Sequence, residues 1–340
     1  MAVVSLAMRV RRLLVWAARI ALGIFLLLAL VLAGFRTRTR LRETEERRAP
    51  PRTGSFVATP SGEFRYQERG APSGAPVLFV GGTMAPSDTF LPLIEALCDG
   101  RLHCLAIDLP PFGYSERPRD GRYGRQQQAA RLVAFIRALR LEGTVIVGHS
   151  FGAGPAVETA MRYPDEVRTF ALMSGALGLS AGPPSAPVRA VLAVPFLRTA
   201  ASSATLANPW AIRASLRAFT QDDAVLTDQL VERFTAETRL EGTAQAVGRW
   251  AQTALLADES GSASGKRSSY RQYDRPVLLV WGDQDSATPL AQGEELEKLL
   301  PNGTLTVIPG VNHFPHVEAQ ARVVAALRPF LVTRAGAHEK

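Results

Sequence analysis

Cysteine is almost absent: Cys98 and Cys104 are the only two in 340 residues. Neither has histidine or cysteine neighbours at a metal-ligating spacing, which excludes a zinc-held or disulfide-framework protein. The pair reads as two buried free thiols rather than as a disulfide. Excess charge is also missing from most of the chain. The formal net charge of +8 is carried entirely by residues 1–52, with eleven arginines and three glutamates, so residues 53–340 sum to zero. That balance removes the basic footprint a nucleic-acid binder needs. No internal repeat is present, and long hydrophobic runs occur only once.

That run, Leu13–Phe35, is interrupted only by Arg19. As a helix it would extend about 34 Å, enough to cross a hydrocarbon layer of about 30 Å, and Arg19 lies close enough to one end to snorkel. Arg9, Arg11 and Arg12, followed by Ile20–Ala33 and a weak Val31-Leu32-Ala33 cleavage site, also fit a signal peptide. Seven arginines between Arg36 and Arg52 are unlike the start of an exported mature chain, so residues 1–35 are read as a single-pass membrane anchor, with a cleaved signal segment as the alternative. The basic count favours a cytoplasmic C-terminal side, whereas a simple signal anchor would export it. Residues 36–54, charged and then proline-bearing, read as a flexible linker.

From Ser55 the pattern changes. "SFVATPSGEFRYQERG" alternates around Ser61-Gly62 as a hairpin does. Six apolar runs follow: 76–82, 104–110, 144–150, 168–175, 276–285 and 304–310, with helical patterns between them, such as Arg125–Leu139. Near-continuous apolar strands are buried on both faces, which predicts a mostly parallel, doubly wound α/β sheet covered by helices. Residues 55–178 and 271–335 form the two parts of this core. Residues 179–270 lack a convincing strand and read as a helical lid over the carboxyl edge of the sheet, where such folds bind ligands. The serine-rich stretch 258–269 is its expected flexible exit.

"TVIVGHSFGAGPA" (144–156) places a buried strand directly before Gly148-His149-Ser150-Phe151-Gly152. A G-x-S-x-G turn between strand and helix is sharp enough to lift a serine hydroxyl out of the sheet edge. Pro155 lies slightly deep for a first-turn proline. A serine nucleophile needs a histidine, and the histidine needs a carboxylate. Asp285, ending "VLLVWGDQD", and His313, in "VIPGVNHFPHVE", follow in the chain order Ser, Asp, His. Asp283 lies immediately after its strand, where a turn-capping role is natural. His316 reads as a surface or packing residue, and His149 as a structural residue pointing into the sheet. His103 starts a strand, His338 lies in the tail, and Asp108 is assigned to fixing its loop.

These segments resemble the α/β-hydrolase superfamily, in its lid-bearing, esterase-like branch, over residues 55–335. "GHSFGA" is similar to the nucleophile elbow, "IDLPPFGYSERP" to the family's D-x-P-G-x-G-x-S loop, "WGDQDSATP" to the acid loop and "GVNHFPHVE" to the histidine loop. Two departures stand out: Pro111 replaces a glycine, and "VGGTM" replaces the usual His-Gly, so that Gly81 is expected to loosen that loop. The resemblance implies catalysis by Ser150, His313 and Asp285, and oxyanion donation from the backbone N–H groups of Thr83 and Phe151. It also implies that a serine at position 150 argues against haloalkane dehalogenase and epoxide hydrolase chemistry, for which the superfamily uses aspartate. What remains is acyl chemistry on a small-molecule ester, thioester or amide, acyl transfer, carbon–carbon bond hydrolysis or perhydrolysis. No cofactor or metal is called for. The reading from another class is a catalytically silent scaffold that binds a ligand. Large apolar residues in the lid, among them Val194, Phe196, Trp210, Ile212, Leu216 and Phe219, are expected to face the sheet edge or line an apolar pocket.

Overall fold

The six apolar runs and the hairpin pair into one eight-stranded sheet. In the computed structural model the described residues are 2–45, 53–98, 100–118, 120–179, 182, 184–256 and 261–335. The strands are β1 (Ser55–Thr59), β2 (Gly62–Arg69), β3 (Ala75–Val80), β4 (Leu102–Ile107), β5 (Thr144–His149), β6 (Val167–Met173), β7 (Val277–Gly282) and β8 (Gly303–Ile308). They lie in the order β1-β2-β4-β3-β5-β6-β7-β8. β2 is antiparallel to both β1 and β4, and every other pairing is parallel.

The helices are α1 (Ala2–Glu45), α2 (Leu91–Leu97), α3 (Arg125–Ala138), α4 (Ala153–Arg162), α5 (Ala186–Ala193), α6 (Pro195–Ala204), α7 (Pro209–Ala218), α8 (Asp228–Thr235), α9 (Thr243–Leu256), α10 (Arg267–Arg271), α11 (Leu290–Leu299), α12 (Pro315–Glu318) and α13 (Gln320–Ala335). Side chains alternate across each strand, so one strand supplies both layers. Leu78 and Val80 pack with α3, α4 and α11, while Val77 and Phe79 pack with α2 and α13. The apolar runs are continuous because both faces are covered. Cys104 is buried in β4, and Cys98, half-buried, follows α2.

Helices α5–α10 form an insertion between β6 and β7 with its own apolar core, in which Ile212, Leu216, Phe234 and Trp250 meet Phe112, Tyr123 and Phe314 from the sheet-edge loops. The expected flexible exit is ordered where it is described. Residues 257–260 lie outside the described residues, but Ser264 is fully buried, and its backbone N–H and its hydroxyl both donate to Glu158 Oε2 at 2.8 Å. Serine-rich composition suggested a loop because the carboxylate that satisfies it lies 106 residues away.

α1 departs further from expectation. It is one unbroken helix, so the charged stretch read as a flexible linker from residue 36 is helical as far as Glu45; residues 46–52 lie outside the described residues. Arginine, leucine and glutamate are good helix formers, and tertiary contacts fix the rest. Thr39 and Glu43 are buried. The Glu43 carboxylate accepts from Gly242 N (3.1 Å) and Ala244 N (3.0 Å) at the start of α9, capping its free N–H groups. Arg42 donates to the carbonyls of Thr238 and Ala207. Over Leu14–Glu43 the helix is long and apolar enough to cross a membrane.

Glu237 and Arg117 fasten the insertion to the loop after β4. The Glu237 carboxylate accepts the Gly113 N–H. Arg117 donates to Glu241 O (2.7 Å) and Thr243 Oγ1 (2.6 Å). Glu237 is fully buried, and burial pushes its pKa from an ordinary 4.5 up to about 8. A folded-state carboxyl raised in this way keeps a proton that the unfolded chain has lost. Its contribution is therefore complete below the unfolded value of 4.5 and is lost as pH rises through the folded value of about 8. Glu237→Gln should melt close to wild type near about pH 5 and clearly above it near about pH 8.5, as followed by circular dichroism. Equal melting shifts at both pH values would remove Glu237 from the pH dependence.

Candidate active site

β5 is buried at every position and delivers Ser150 at its carboxyl end. Ser150 sits in the left-handed region at φ +49°, a conformation that costs a non-glycine residue about 1–3 kcal/mol unless its surroundings impose it. The flanking glycines explain how it is imposed. A methyl group on Gly152 would lie 2.3 Å from Val80 O, and one on Gly148 would lie 2.8 Å from Ala153 Cα. Strand, turn and helix thus approach more closely than any side chain at 148 or 152 allows. The Ser150 carbonyl accepts from Ala176 N at 2.9 Å, which ties the turn to the segment after β6. Pro155 is the third residue of α4, inside the first turn, where a missing N–H forfeits no helical hydrogen bond.

The loops after β7 and β8 bring two distant residues to this turn. His313 Nε2 accepts from Ser150 Oγ at 2.8 Å, and His313 Nδ1–H donates to the Asp285 carboxylate, with both oxygens at 3.1 Å. Asp285 also accepts from the backbone N–H groups of Ala287 (3.0 Å) and Thr288 (2.8 Å) and from Thr288 Oγ1 (2.9 Å). Burial alone would raise the Asp285 pKa. The hydrogen bond and charge of His313, with the Thr288 N–H, outweigh it and hold Asp285 below the ordinary carboxylate value. An ionised Asp285 keeps the proton of the neutral imidazole on Nδ1, which leaves Nε2 free to accept from the hydroxyl.

The competing residues have other partners. Asp283 Oδ1 accepts from Gly310 N (2.7 Å), joining the two loops behind the site. Asp108 accepts from Ser87 N (2.6 Å), Tyr114 N (2.8 Å) and Arg65 Nη1 (3.2 Å), which clamps the loops after β3 and β4 together. His103 pairs with Glu68 at the start of β4. His338 lies outside the described residues. His316 is buried and stacks on Phe90, so it packs rather than facing solvent. Burial and the neighbouring His313 bring its pKa down to about 3.

His149, the last residue of β5, is buried and has the structural role expected of it. It lines the cleft, where its Nε2–H donates to the His313 carbonyl at 2.9 Å. Burial, then His316 and His313, hold its pKa well below the ordinary value, so it stays neutral beside the His313 imidazole. Several supporting residues have little sequence signal. Thr288 follows Asp285 by three residues, a spacing typical of side-chain-closed turns. Asn312 Oδ1 accepts from Ser286 N at 2.9 Å, which joins the Asp285 and His313 loops. Phe219 O accepts from His313 N (3.1 Å), and Glu318 accepts from Gln221 N (2.7 Å), so the insertion itself holds the histidine loop.

Above Ser150 lies a cleft of about 720 Å³, within the range of small-molecule sites. Its lining includes Ile212, Leu216, Phe219, Phe234 and Trp250 from the insertion, with Thr83 and Phe151 beside Ser150. The loop after β3 is tight rather than loose. Ala85 N closes a turn onto Gly82 O at 3.2 Å, and a methyl on Gly81 would lie 2.1 Å from Ala85 O. Val194, Phe196 and Trp210 are exposed, however, and do not line the cleft. Among the described residues no cluster of His, Cys, Asp or Glu is placed to hold a metal ion.

Comparison with known proteins finds relatives that cover most of the chain. 2-Hydroxymuconate semialdehyde hydrolase of Pseudomonas putida is 29% identical over 235 residues, covering 69% of this chain and 78% of that protein. Lipase 1 of Psychrobacter immobilis is 25% identical over 290 residues, covering 83% and 85%. A solved bacterial membrane phospholipase A superposes with a TM-score of 0.65 at 23% identity, covering 93% of this chain and 98% of that one, a likeness of fold. The family model for the alpha/beta hydrolase fold matches residues 75–320. With that match spanning most of the chain, the protein belongs to the α/β-hydrolase fold family.

Proposed function

We propose that this protein is a membrane-anchored serine hydrolase that cleaves carboxylic esters of apolar, short to medium acyl groups through an acyl-enzyme intermediate. The observation that carries the reading is the hydrogen-bonded chain from Ser150 through His313 to Asp285 at the floor of an apolar cleft. Ser150 Oγ attacks the ester carbonyl while His313 Nε2 takes its proton. The oxyanion is received by the backbone N–H groups of Thr83 and Phe151, and His313 then protonates the departing alkoxide. Water, deprotonated by His313, attacks the acyl-enzyme and releases the acid. Asp285 holds the imidazole tautomer and balances its transient charge. The helical insertion serves as a lid that shields this chemistry from bulk water.

A second reading, hydrolysis of a carbon–carbon bond on the same three residues, is supported by the relative named 2-hydroxymuconate semialdehyde hydrolase. The lining favours esters: Arg125 is the one Arg, Lys, Asp or Glu side chain along the described cleft, and the remaining side chains are neutral or imidazole.

A fluorophosphonate probe should label Ser150, and an unlabelled protein would favour a silent ligand-binding scaffold. Ser150→Ala and His313→Ala should each lower turnover by several orders of magnitude, and the double variant should be barely worse, because the residues act as a unit. Asp285→Asn should cost about 10⁴-fold through loss of tautomer control. Collapse in Asp283→Asn with near-normal Asp285→Asn would transfer the acid role. Across p-nitrophenyl esters from acetate to laurate, kcat/KM should rise about tenfold for every two carbons until the cleft is full, at about 0.8 kcal/mol per buried methylene. A flat profile, or a preference for charged acyl groups, would contradict an apolar acyl site. The anchor predicts that the full chain sediments with membranes and keeps its N-terminus; a soluble product beginning near Gly34 would overturn it.

A further inference from the structure

The sequence marks Phe196 and Trp210 as large apolar lid residues, yet they are 45% and 76% exposed and take no part in the cleft. Their position relative to α1 accounts for them. α1 leaves its apolar span at about Phe35 and is buried against the insertion by Thr39 and Glu43. The Arg36 guanidinium lies 4.9 Å from the centre of the Phe196 ring. Phe35 and Leu41 share a groove with Pro209 and Trp210 at the start of α7. At the helical rise, Phe35 and Glu43 are separated by about 12 Å along the axis. The edge of the insertion that carries Phe196 and Trp210 therefore stands level with the point where the apolar span ends. Because α1 is one unbroken helix with Glu43 capping α9, this edge is held there by a strut and not by a tether.

Charge agrees with this placement. From Gly182 to Gln221 the insertion contains Arg189, Arg198, Arg213 and Arg217 and no acidic residue. Arg38 and Arg40 on α1, and Arg189 and Arg217, are exposed. An exposed phenylalanine under the Arg36 guanidinium and an exposed tryptophan in a groove with Arg38 match the interfacial layer of a bilayer, where aromatic rings sit at head-group depth and arginines meet anionic lipids. A partner protein surface has no comparable reason to sit at this height along the anchor.

We propose that the α6–α7 edge of the insertion is a bilayer-docking surface, with Phe196 and Trp210 seated among lipid head groups, and that the cleft takes acyl esters held in the membrane. α7 connects the two environments. Trp210 projects outward, while the next residues on the same helix, Ala211 and Ile212, line the cleft with Ser215 and Leu216. An acyl chain leaving the bilayer at Trp210 passes only one helix to reach the cavity above Ser150. The substrate part of this proposal rests on the ester-hydrolase reading and on the anchor; the docking part rests on the anchor alone.

The test uses the full chain reconstituted in phosphatidylcholine vesicles, with and without phosphatidylglycerol. In a Trp16→Phe background, the fluorescence lost on Trp210→Phe reports residue 210, because Trp250 and Trp281 remain constant. Lipids carrying a doxyl group near the head group should quench that signal, more strongly with phosphatidylglycerol present, and lipids with the doxyl at the chain end should quench it little. Absence of quenching by either lipid overturns the docking surface, as does chemical crosslinking that traps Trp210 against a second copy of the chain. A paired Phe196→Ser, Trp210→Ser variant should hydrolyse a vesicle-embedded long-chain ester about tenfold more slowly than wild type while its rate on a soluble p-nitrophenyl ester is unchanged. An equal fall on both esters, or no fall on either, overturns delivery from the membrane. If no ester is hydrolysed by wild type, the quenching result still decides the docking surface by itself.

Discussion

The left-handed turn at Ser150 is the constraint on which the rest of the site depends. Its φ of +49° is unfavourable by itself and is held by backbone on both sides. Val80 O of β3 faces Gly152, and the start of α4 faces Gly148. Because β3 presses directly against the turn, the loop that follows β3 must pass over Ser150, where a methyl on Gly82 would lie 2.7 Å from Ser150 Cβ. The close approach that strains the serine therefore also brings Gly82 of that loop against it. Asp108 secures the same loop from behind by joining Ser87 N to Tyr114 N.

The insertion is a structural partner of the site as well as its cover. Phe219 O and Gln221 N bond to the histidine loop through His313 N and Glu318, so the position of the imidazole depends on residues about 90 positions earlier. The other side of the insertion is fastened by Glu237 and Arg117 to the loop after β4, and by Glu43 to the end of α1. The end of α1 is therefore bonded directly to α9, which contributes Trp250 to the cleft wall. α1, the insertion and the histidine loop are thus joined through hydrogen bonds at helix ends and loops.

Local chemistry was legible where a residue's partners lie close in the chain. The strand before Ser150, its glycines and the short helix start are all within ten residues, and continuous apolar runs announced strands covered on both faces. Asp285 and His313 were legible from chain order and their placement after strands. The linker from residue 36 and the serine-rich exit were misread for one shared reason. Each is polar in composition, and each is ordered by a distant partner: α9 for Glu43, and Glu158 for Ser264. Gly81 was expected to loosen its loop, yet the Ala85 carbonyl packs against it, a contact that composition does not display. His149 was read as a structural hydrogen-bonding residue from its place before the serine, and only the fold shows that its partner is the His313 carbonyl.

By itself the sequence determined the α/β class, the elbow serine and the residues paired with it, the apolar N-terminal span and the neutrality of everything beyond residue 52. These follow from short-range rules: period, turn chemistry and the order of loops along a sheet edge. Only the tertiary structure decided which apolar residues of the insertion face inward. Ile212 lines the cleft and Trp210, two residues earlier, faces out beside α1. Helical period separates the faces of α7 but does not say which face meets the sheet. That choice is made by long-range contacts, the Glu43 cap on α9 and the Phe219 bond to His313, whose partners are about 200 and 90 residues apart.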